Sequence, residues 1–229
     1  MLTDVWPLFG LVLRTPRLEL RLPSLERLAE LGELAAEGVH DPAVMPFFVA
    51  WTDRPPAERA RSTLQYNWSR WGQLTPQSWT LELAVLAGGE VVGTQGIGAV
   101  DFALTREVDT GSWLGRRHHG QGYGTEMRAA VLHLAFAGLG AEQARSGAFS
   151  DNAASLGVSR KLGYVEDGTA RQAVRDRLVV EQRLLLDRAR WEAHRTVPVE
   201  VEGLEPCLPM LGAAPAADPP DSPPPPRRS

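Results

Sequence analysis

The sequence predicts a mixed α/β fold, in which one central sheet is flanked by helices. Three observations support it: a meander of three strand-like segments, a Gly-rich loop that opens an amphipathic helix, and a second helix between two further strand-like segments. A tight hairpin joins strands antiparallel, whereas a helical crossover makes the pairing parallel. The expected sheet is therefore mostly antiparallel.

The segment before the meander supplies one strand and two helices. Residues 13–22 alternate apolar and polar side chains around Pro16, as a first or edge strand would. Ser24 can cap a helix with leucines at three- and four-residue steps, and Pro55-Pro56 opens a second helix. The remaining elements are expected in this order: strands at 79–86, 91–100 and 106–114, a helix at 122–137, a strand at 144–149, a helix from Asp151 to Gly163, a strand at 176–187 and a short strand at 197–201.

Composition and charge narrow the class of protein. The chain has 229 residues, a formal charge of -4 and a pI of about 5.8, so no basic excess points to nucleic acid. No run of eighteen apolar residues could span a bilayer, and the first residues lack the basic start of a secretory signal. Cys207 is the only cysteine, which excludes an internal disulfide or a thiolate metal cluster. We therefore expect a cytoplasmic protein with no metal, nucleic-acid or membrane partner.

Residues 115–125 carry the clearest chemical signal. Four glycines, Gly115, Gly120, Gly122 and Gly124, lie between a strand and a helix, so backbone N–H groups there can approach a ligand closely. A helix N-terminus adds unpaired donors and a positive dipole end, which favour a phosphate or pyrophosphate. A simple strand-to-helix turn is the alternative. A Walker A loop would need a lysine, and a Rossmann loop would need an early parallel βαβ unit.

The spacing Arg117-x-x-Gly120-x-Gly122 resembles the Arg/Gln-x-x-Gly-x-Gly/Ala signature of GNAT acyltransferases. The block from Asp151 to Tyr164 resembles the Asn-x-x-Ser-x-x-Val-x-x-x-x-Gly-Phe/Tyr block of the RimJ/RimL-like branch. The resemblance covers about residues 11–192. Residues 40–47, 109–115 and 194–197 are also similar to an actinobacterial subgroup that includes a mycobacterial succinyl-CoA transferase, and this similarity extends through Gly212.

The resemblance implies a GNAT fold, whose mostly antiparallel sheet splays between strands four and five to hold acetyl-CoA or succinyl-CoA. It divides the chain into an N-terminal extension (1–12), a GNAT acyltransferase domain (13–192), a C-terminal extension with a short strand (193–212) and a disordered Pro-rich tail (213–229). Backbone N–H groups near a strand distortion at Leu114 and Gly115 would hold the oxyanion. The implied coenzyme A-binding residues are Leu114, Gly115, Arg117, His119, Gly120, Gln121, Gly122, Tyr123, Gly124, Thr125, Asn152 and Ser155.

Asn152 and Ser155 are three residues apart, so one helical face could present both to the pantetheine arm; the alternative is that they cap the helix and face solvent. By the resemblance, Ser155 is the proton donor to the thiolate. The late carboxylate of some RimL-like enzymes would fall at Val174, which leaves Asp109, with Glu82 as its alternative, as the base; direct attack by a neutral amine needs neither.

Three other features have both a functional and a plain interpretation. His118 and His119 hold phosphate or face water. Trp51 lines the acceptor or acyl pocket, or belongs to the core. Apolar residues in the two extensions suggest a homo-oligomer, namely Trp6, Leu8, Phe9, Leu204 and Leu208.

The function expected from these residues is transfer of an acetyl or succinyl group to an amine of a small molecule or a protein. A non-catalytic acyl-CoA sensor is the alternative, and a nucleotide-binding protein is the third hypothesis. The acceptor has no readable code, because specificity depends on variable loops such as 38–55.

Overall fold

In the computed structural model, which describes residues 1–213, a nine-stranded sheet carries helices on both faces. The strands are β1 (Val12–Arg14), β2 (Leu18–Arg21), β3 (Ser78–Ala87), β4 (Glu90–Val100), β5 (Glu107–Leu114), β6 (Gln143–Phe149), β7 (Val165–Val174), β8 (Arg177–Asp187) and β9 (Glu200–Glu202). The helices are α1 (Leu2–Val5), α2 (Leu25–Glu37), α3 (Pro56–Gln73), α4 (Phe102–Thr105), α5 (Tyr123–His133), α6 (Ala153–Lys161) and α7 (Arg188–His194).

The strand order is β7-β8-β6-β5-β4-β3-β2-β1-β9, and within residues 1–213 only β5 and β6 pair in parallel. That pairing joins Glu107–Asp109 to Gln143–Arg145 and goes no further. Beyond it the two strands separate, and we call the gap between residues 110–114 and 146–149 the β5–β6 cleft. The predicted mixed fold, with a mostly antiparallel sheet, is confirmed.

Each face of the sheet has its own core. On one face, buried Leu81 and Leu83 pack with Met127 of α5, and we call this the α5 face. On the other, Ala84 packs with Leu28 and Leu31 of α2, and α3 lies beside them; this is the α2/α3 face. A fully buried leucine contributes roughly 1.5–3 kcal/mol, so each layer is held by its own apolar side chains.

The predicted first strand is instead a hairpin. Residues 13–22 divide into β1 and β2, which pair antiparallel with Leu13 opposite Leu20. Pro16 cannot donate a backbone hydrogen bond, and Thr15 closes the turn by donating its N–H to the carbonyl of Leu18 at 2.9 Å. The alternation around Pro16 therefore marked two short strands with a turn between them.

Strand β7 was not predicted, because its side chains are mostly polar or small and half of them are exposed. Its partner β8 holds it by antiparallel pairing from Val165 to Val174. The predicted helix at 122–137 is α5 followed by a π-helical turn, Leu134–Leu139. Helices α4 and α7 were also missed.

The terminal segments fold onto the domain. Strand β9 extends the sheet by pairing with β1, and the indole N–H of Trp79 donates to the carbonyl of Leu211 at 3.0 Å. The apolar residues that suggested self-association pack against the chain's own core, which removes that reason for a homo-oligomer: Trp6, Leu8, Phe9, Leu204 and Leu208. Except for Ala213, the predicted disordered tail lies outside the described residues.

Residues 1–213 lack two kinds of feature. No helix there is long and apolar enough to cross a bilayer. No group of three or more His, Cys, Asp or Glu side chains there could hold a metal ion.

Candidate active site

The Gly-rich loop connects β5 to α5 through two glycines in the left-handed region. Gly120 has a φ of +74° and Gly122, the N-cap of α5, has a φ of +83°. L-residues with a Cβ rarely adopt this conformation, so the glycines allow the loop to fold back onto the helix start.

The loop leaves a row of backbone donors without partners. In the described part of the chain, the N–H groups of residues 120–124 have no acceptor, whereas those of Thr125 and Glu126 donate to the carbonyl of Gly122. Successive free N–H groups at a helix N-terminus form a concave anion site. This observation fits a pyrophosphate, as predicted for Gly120, Gln121, Gly122, Tyr123 and Gly124.

Arg17 lies directly beside these donors. Its guanidinium donates to the carbonyl of Gln121 at 2.9 Å, binds Glu126 at 2.6 Å and covers the ring of Tyr123 at 5.0 Å. A Cβ on Gly122 would lie 3.2 Å from its Nη2 atom. Sequence reasoning missed Arg17, because it lies about a hundred residues before the loop and belongs to no recognised motif.

The side chain of Arg117, the first residue of the motif, contacts two glutamates and not the free N–H groups of the loop. Its guanidinium binds Glu37 and, at 2.8 Å, Glu90, at the end of the β3–β4 hairpin. His119, two residues further on, contacts the carbonyl of Leu114 through Nε2 at 3.1 Å. His118 is buried, and this burial lowers its pKa. Both Arg117 and His119 therefore support the loop through protein contacts.

The free edge of β5 faces the cleft. Gly115 donates its N–H to Val92 of β4 at 2.9 Å, so this amide is already bound. Because amides alternate between the two edges of a strand, those of Leu114 and Ser112 point towards the cleft. The β4–β5 register is regular from Gly93 opposite Leu114 to Gly98 opposite Asp109, so no distortion falls within that part of β5. Leu114 and Ser112, not Gly115, provide the free amides.

The second motif begins α6 beside the loop. Asn152 is the N-cap, and its side-chain oxygen accepts the N–H of Ser155 at 3.1 Å. Asn152 is therefore a helix cap, as in the alternative interpretation, and its side chain lies directly beside Ser155. Ser155 is half-buried in the first turn, and its hydroxyl has no partner among residues 1–213.

Glu82 lies on the opposite face of the sheet, over two glycines. The register places Glu82, Gly96 and Gly111 in one row across β3, β4 and β5, and a Cβ on Gly96 would lie 2.9 Å from Glu82 Oε1. The Tyr66 hydroxyl donates to Glu82 at 3.2 Å and that of Thr94 at 3.3 Å. Burial raises the pKa of Glu82 to about 7. The Glu82 carboxylate is therefore a candidate proton acceptor, and the neighbouring surface over Gly111 is free of side chains.

Asp109 occupies the next row, between Gly98 and Arg145. Its side chain is exposed, and partial desolvation together with nearby Glu107 raises its pKa. Val174 is buried in β7, so no carboxylate stands at that position. Of the two candidate bases, Glu82 has the more enclosed position.

An aromatic loop covers the cleft on the α2/α3 face. Trp51 packs against Trp113 of β5 at 5.7 Å, and Phe48 packs against Phe149 of β6 at 5.0 Å, so residues 38–55 contact both separated strands. Beside this loop is a cavity of about 450 Å³ whose lining includes His40, Thr52, Asp53, Arg59 and Arg175. Trp51 therefore belongs to the wall over the cleft.

A profile of the acetyltransferase (GNAT) domain matches residues 17–165, which is more than half of the chain. The chain belongs to the GNAT acetyltransferase family. The match ends at Val165, so most of β7 and the elements after it lie beyond the part of the GNAT domain that the profile describes.

Solved structures with a similar fold include other GNAT proteins. RimJ of Mycobacterium smegmatis, in complex with CoA-disulfide, is 18% identical with a TM-score of 0.64 over 83% of this chain and 97% of that one. A GCN5-related N-acetyltransferase of Brucella melitensis is 18% identical, with a TM-score of 0.64 over 80% and 81%. RimL, a ribosomal L7/L12 α-N-protein acetyltransferase in complex with coenzyme A, is 16% identical, with a TM-score of 0.58 over 76% and 95%. At these identities the likeness shows the fold alone.

Proposed function

We propose that this GNAT protein transfers an acetyl or succinyl group from coenzyme A to the amine of a small molecule or protein. The observation that carries the proposal is the row of free N–H groups at residues 120–124, placed where the β5–β6 cleft opens. The buried carboxylate of Glu82 on the opposite face supplies the second requirement, a proton acceptor.

In this proposal the loop holds the acyl donor through its backbone. The N–H groups of residues 120–124 bind the pyrophosphate, with Arg17 adding positive charge beside them. The amides of Leu114 and Ser112 donate to carbonyl oxygens of the bound arm and of the thioester. Such preorganised donors stabilise an oxyanion as it forms.

Glu82 accepts the proton in the proposed step. An amine lying over Gly96 and Gly111 attacks the thioester carbon, and its proton passes to Glu82 directly or through water. The carbon–sulfur bond then breaks, and its electron pair leaves with sulfur as a thiolate, which Ser155 protonates. Asp109 is the second candidate for the base, since it lies in the neighbouring row.

A succinyl group differs from an acetyl group by its terminal carboxylate, so a succinyl donor would need a cationic or hydroxyl partner in the protein. Arg175 contributes to the cavity beside the aromatic loop, but Asp53 already binds its guanidinium. The similarity of residues 40–47, 109–115 and 194–197 to the actinobacterial subgroup supports succinyl transfer. Val174 supports the second candidate function, an acyl-CoA sensor, because a carboxylate is missing there. Turnover with any amine would exclude the sensor.

The test is calorimetric titration with coenzyme A, acetyl-CoA and succinyl-CoA in parallel. Gly122→Glu adds a side chain and a negative charge at a φ of +83°, beside the free N–H groups, and should weaken binding by at least about a hundredfold. Gly72→Glu is the control, because it adds the same charge at an exposed glycine where a Cβ meets nothing. Absence of binding by the folded wild type would refute the proposal.

A further inference from the structure

The proposed function does not use Arg128, a buried cation beneath the β5–β6 cleft. Arg128 belongs to α5 and is 5% exposed. Its guanidinium donates to three serine hydroxyls: Ser112 of β5 at 3.2 Å, Ser146 of β6 at 3.3 Å and Ser159 of α6 at 3.1 Å. It therefore spans the two strands that separate and the helix beneath them.

No carboxylate of the described residues compensates this charge. Within residues 1–213, Arg128 forms no ion pair within 4.0 Å, and its Nε atom is buried without a partner. Burying an unpaired charge costs several kcal/mol after relaxation, and three neutral hydroxyls offset only part of that. A cation kept at this cost suggests an anion that arrives with a ligand.

Other ionisable groups around Arg128 are neutral or bound elsewhere. Tyr164 is buried with a raised pKa, and its hydroxyl contacts Thr110 at 3.2 Å. Arg145 and Asp109 side chains occupy the opposite face, where Arg145 binds Glu107 at 2.7 Å. On α5 itself, Glu126 is bound to Arg17. The positive potential of Arg128 is therefore directed mainly to the cleft.

Ser112 and Ser146 connect the guanidinium to the cleft. Both are half-buried and lie on the two strands that border it, whereas Ser159 is fully buried beneath. The Ser112 hydroxyl accepts from Arg128, and its own proton has no acceptor in the part of the chain that the structure describes. A hydroxyl polarised in this way is a strong donor to an anion in the cleft.

We infer that Arg128 is a positioning residue that, through Ser112, stabilises the thiolate of coenzyme A in the β5–β6 cleft. This inference rests on the proposed function, because it requires coenzyme A in that cleft. When the carbon–sulfur bond breaks, sulfur keeps the electron pair, and the charge that develops on sulfur faces a preformed donor. Ser155 protonates the sulfur only as coenzyme A leaves this environment.

The test measures ionisation of the bound thiol without any turnover. Coenzyme A is compared with S-methyl-coenzyme A, whose sulfur cannot ionise. Both are titrated calorimetrically between about pH 6 and about pH 9, in two buffers of different ionisation enthalpy. The wild type should release protons on binding coenzyme A but not its S-methyl form. The affinity ratio of the two ligands should rise by about tenfold for each unit by which the bound thiol pKa is lowered.

Variants separate the roles of charge and packing. Arg128→Met and Ser112→Ala should abolish most of the proton release, and Arg128→Lys should restore part of it. Ser159→Ala, which removes a bond to Arg128 on the side away from the cleft, is the matched control and should keep the release. If Arg128→Met fails to fold, Ser112→Ala and the wild type still decide. Equal binding of both ligands at every pH by the wild type would overturn the inference alone, whereas no binding of either would refute the proposed function.

Discussion

The two sides of the β5–β6 cleft are built by different means. On the α5 face, the proposed pyrophosphate site consists of backbone N–H groups within one loop, residues 120–124. On the α2/α3 face, the proposed acceptor region consists of side chains from distant segments, such as Tyr66, Glu82 and Trp51. A site made of backbone within one loop can be read from glycine spacing, whereas a site assembled from distant side chains has no local signature.

The largest expected effect tests the acceptor side. Glu82→Gln removes the buried proton acceptor and should lower kcat by about a hundredfold, with little change in coenzyme A affinity. Since the pKa of Glu82 is about 7, the wild-type rate should rise with pH and level off above that value. Steady-state kinetics between about pH 5.5 and about pH 9 measures the loss of kcat and the pH dependence of the rate.

Asp109→Asn is the matched control for that experiment and should stay within about threefold of the wild type. If Asp109→Asn loses more activity than Glu82→Gln, Asp109 is the base and the comparison of the two carboxylates is reversed. Equal, small losses in both would favour direct attack by a neutral amine.

Glu82 should also affect stability with a definite sign. Its pKa in the folded protein, about 7, exceeds the usual value of 4.5, so the folded state binds the proton more readily and stability falls as pH rises from about 4.5 to 7. Glu82→Gln should therefore gain about 3 kcal/mol over the wild type at pH 8, with little gain at about pH 4.

Urea unfolding at the two pH values measures this difference. Exposed Glu166→Gln should change the free energy of unfolding by less than about 0.5 kcal/mol at either pH. A Glu82→Gln variant that is less stable at pH 8 would contradict the assignment of a carboxylate destabilised by burial.

The donor side offers a comparison of two arginines. Arg17→Gln should weaken coenzyme A binding by about tenfold, because Arg17 lies beside the free N–H groups, and this loss should shrink in high salt. Arg117→Gln should change it by less than about twofold, since exposed ion pairs contribute little. Calorimetric titration with coenzyme A measures both losses. A larger loss in Arg117→Gln than in Arg17→Gln would make Arg117 the phosphate ligand.

The smallest expected effect concerns the aromatic wall. Trp51→Ala should raise the acceptor KM by about fivefold while coenzyme A affinity is unchanged, because the ring packs on Trp113 over the cleft. Trp68→Ala, at a tryptophan on α3 that is 47% exposed, should leave both constants unchanged. Unchanged acceptor KM values in Trp51→Ala would place Trp51 in the plain core.

The sequence predicted the fold well where local rules decide the structure. The β3–β4–β5 meander, the Gly-rich loop and the cap of α2 by Ser24 depend on neighbouring residues, and all were predicted. Strand β7 was missed because pairing with β8, rather than its own side chains, keeps it extended. The hairpin at Pro16 was missed because the alternation of apolar and polar residues shows which side chains share a face of the sheet, but not whether the chain reverses direction between them.

The site shows the same division. The loop glycines were found from their spacing, but the contacts of Arg17 and Arg128 depend on segments that approach only in the folded chain. The sequence named Glu82 among two candidate bases, yet its position over Gly96 follows from register across β3 and β4. Long-range register and burial were the missing information.

The C-terminal segment provides a built-in chemical reporter. Cys207, the only cysteine of the chain, is fully buried where this segment packs, its thiol donates to the carbonyl of Gly203 at 3.1 Å, and burial raises its pKa to about 11. Because thiolates are the reactive form, alkylating reagents can modify it only when the segment opens. The rate of labelling in the native protein thus times the detachment of residues 205–211 from the core, with no engineered probe.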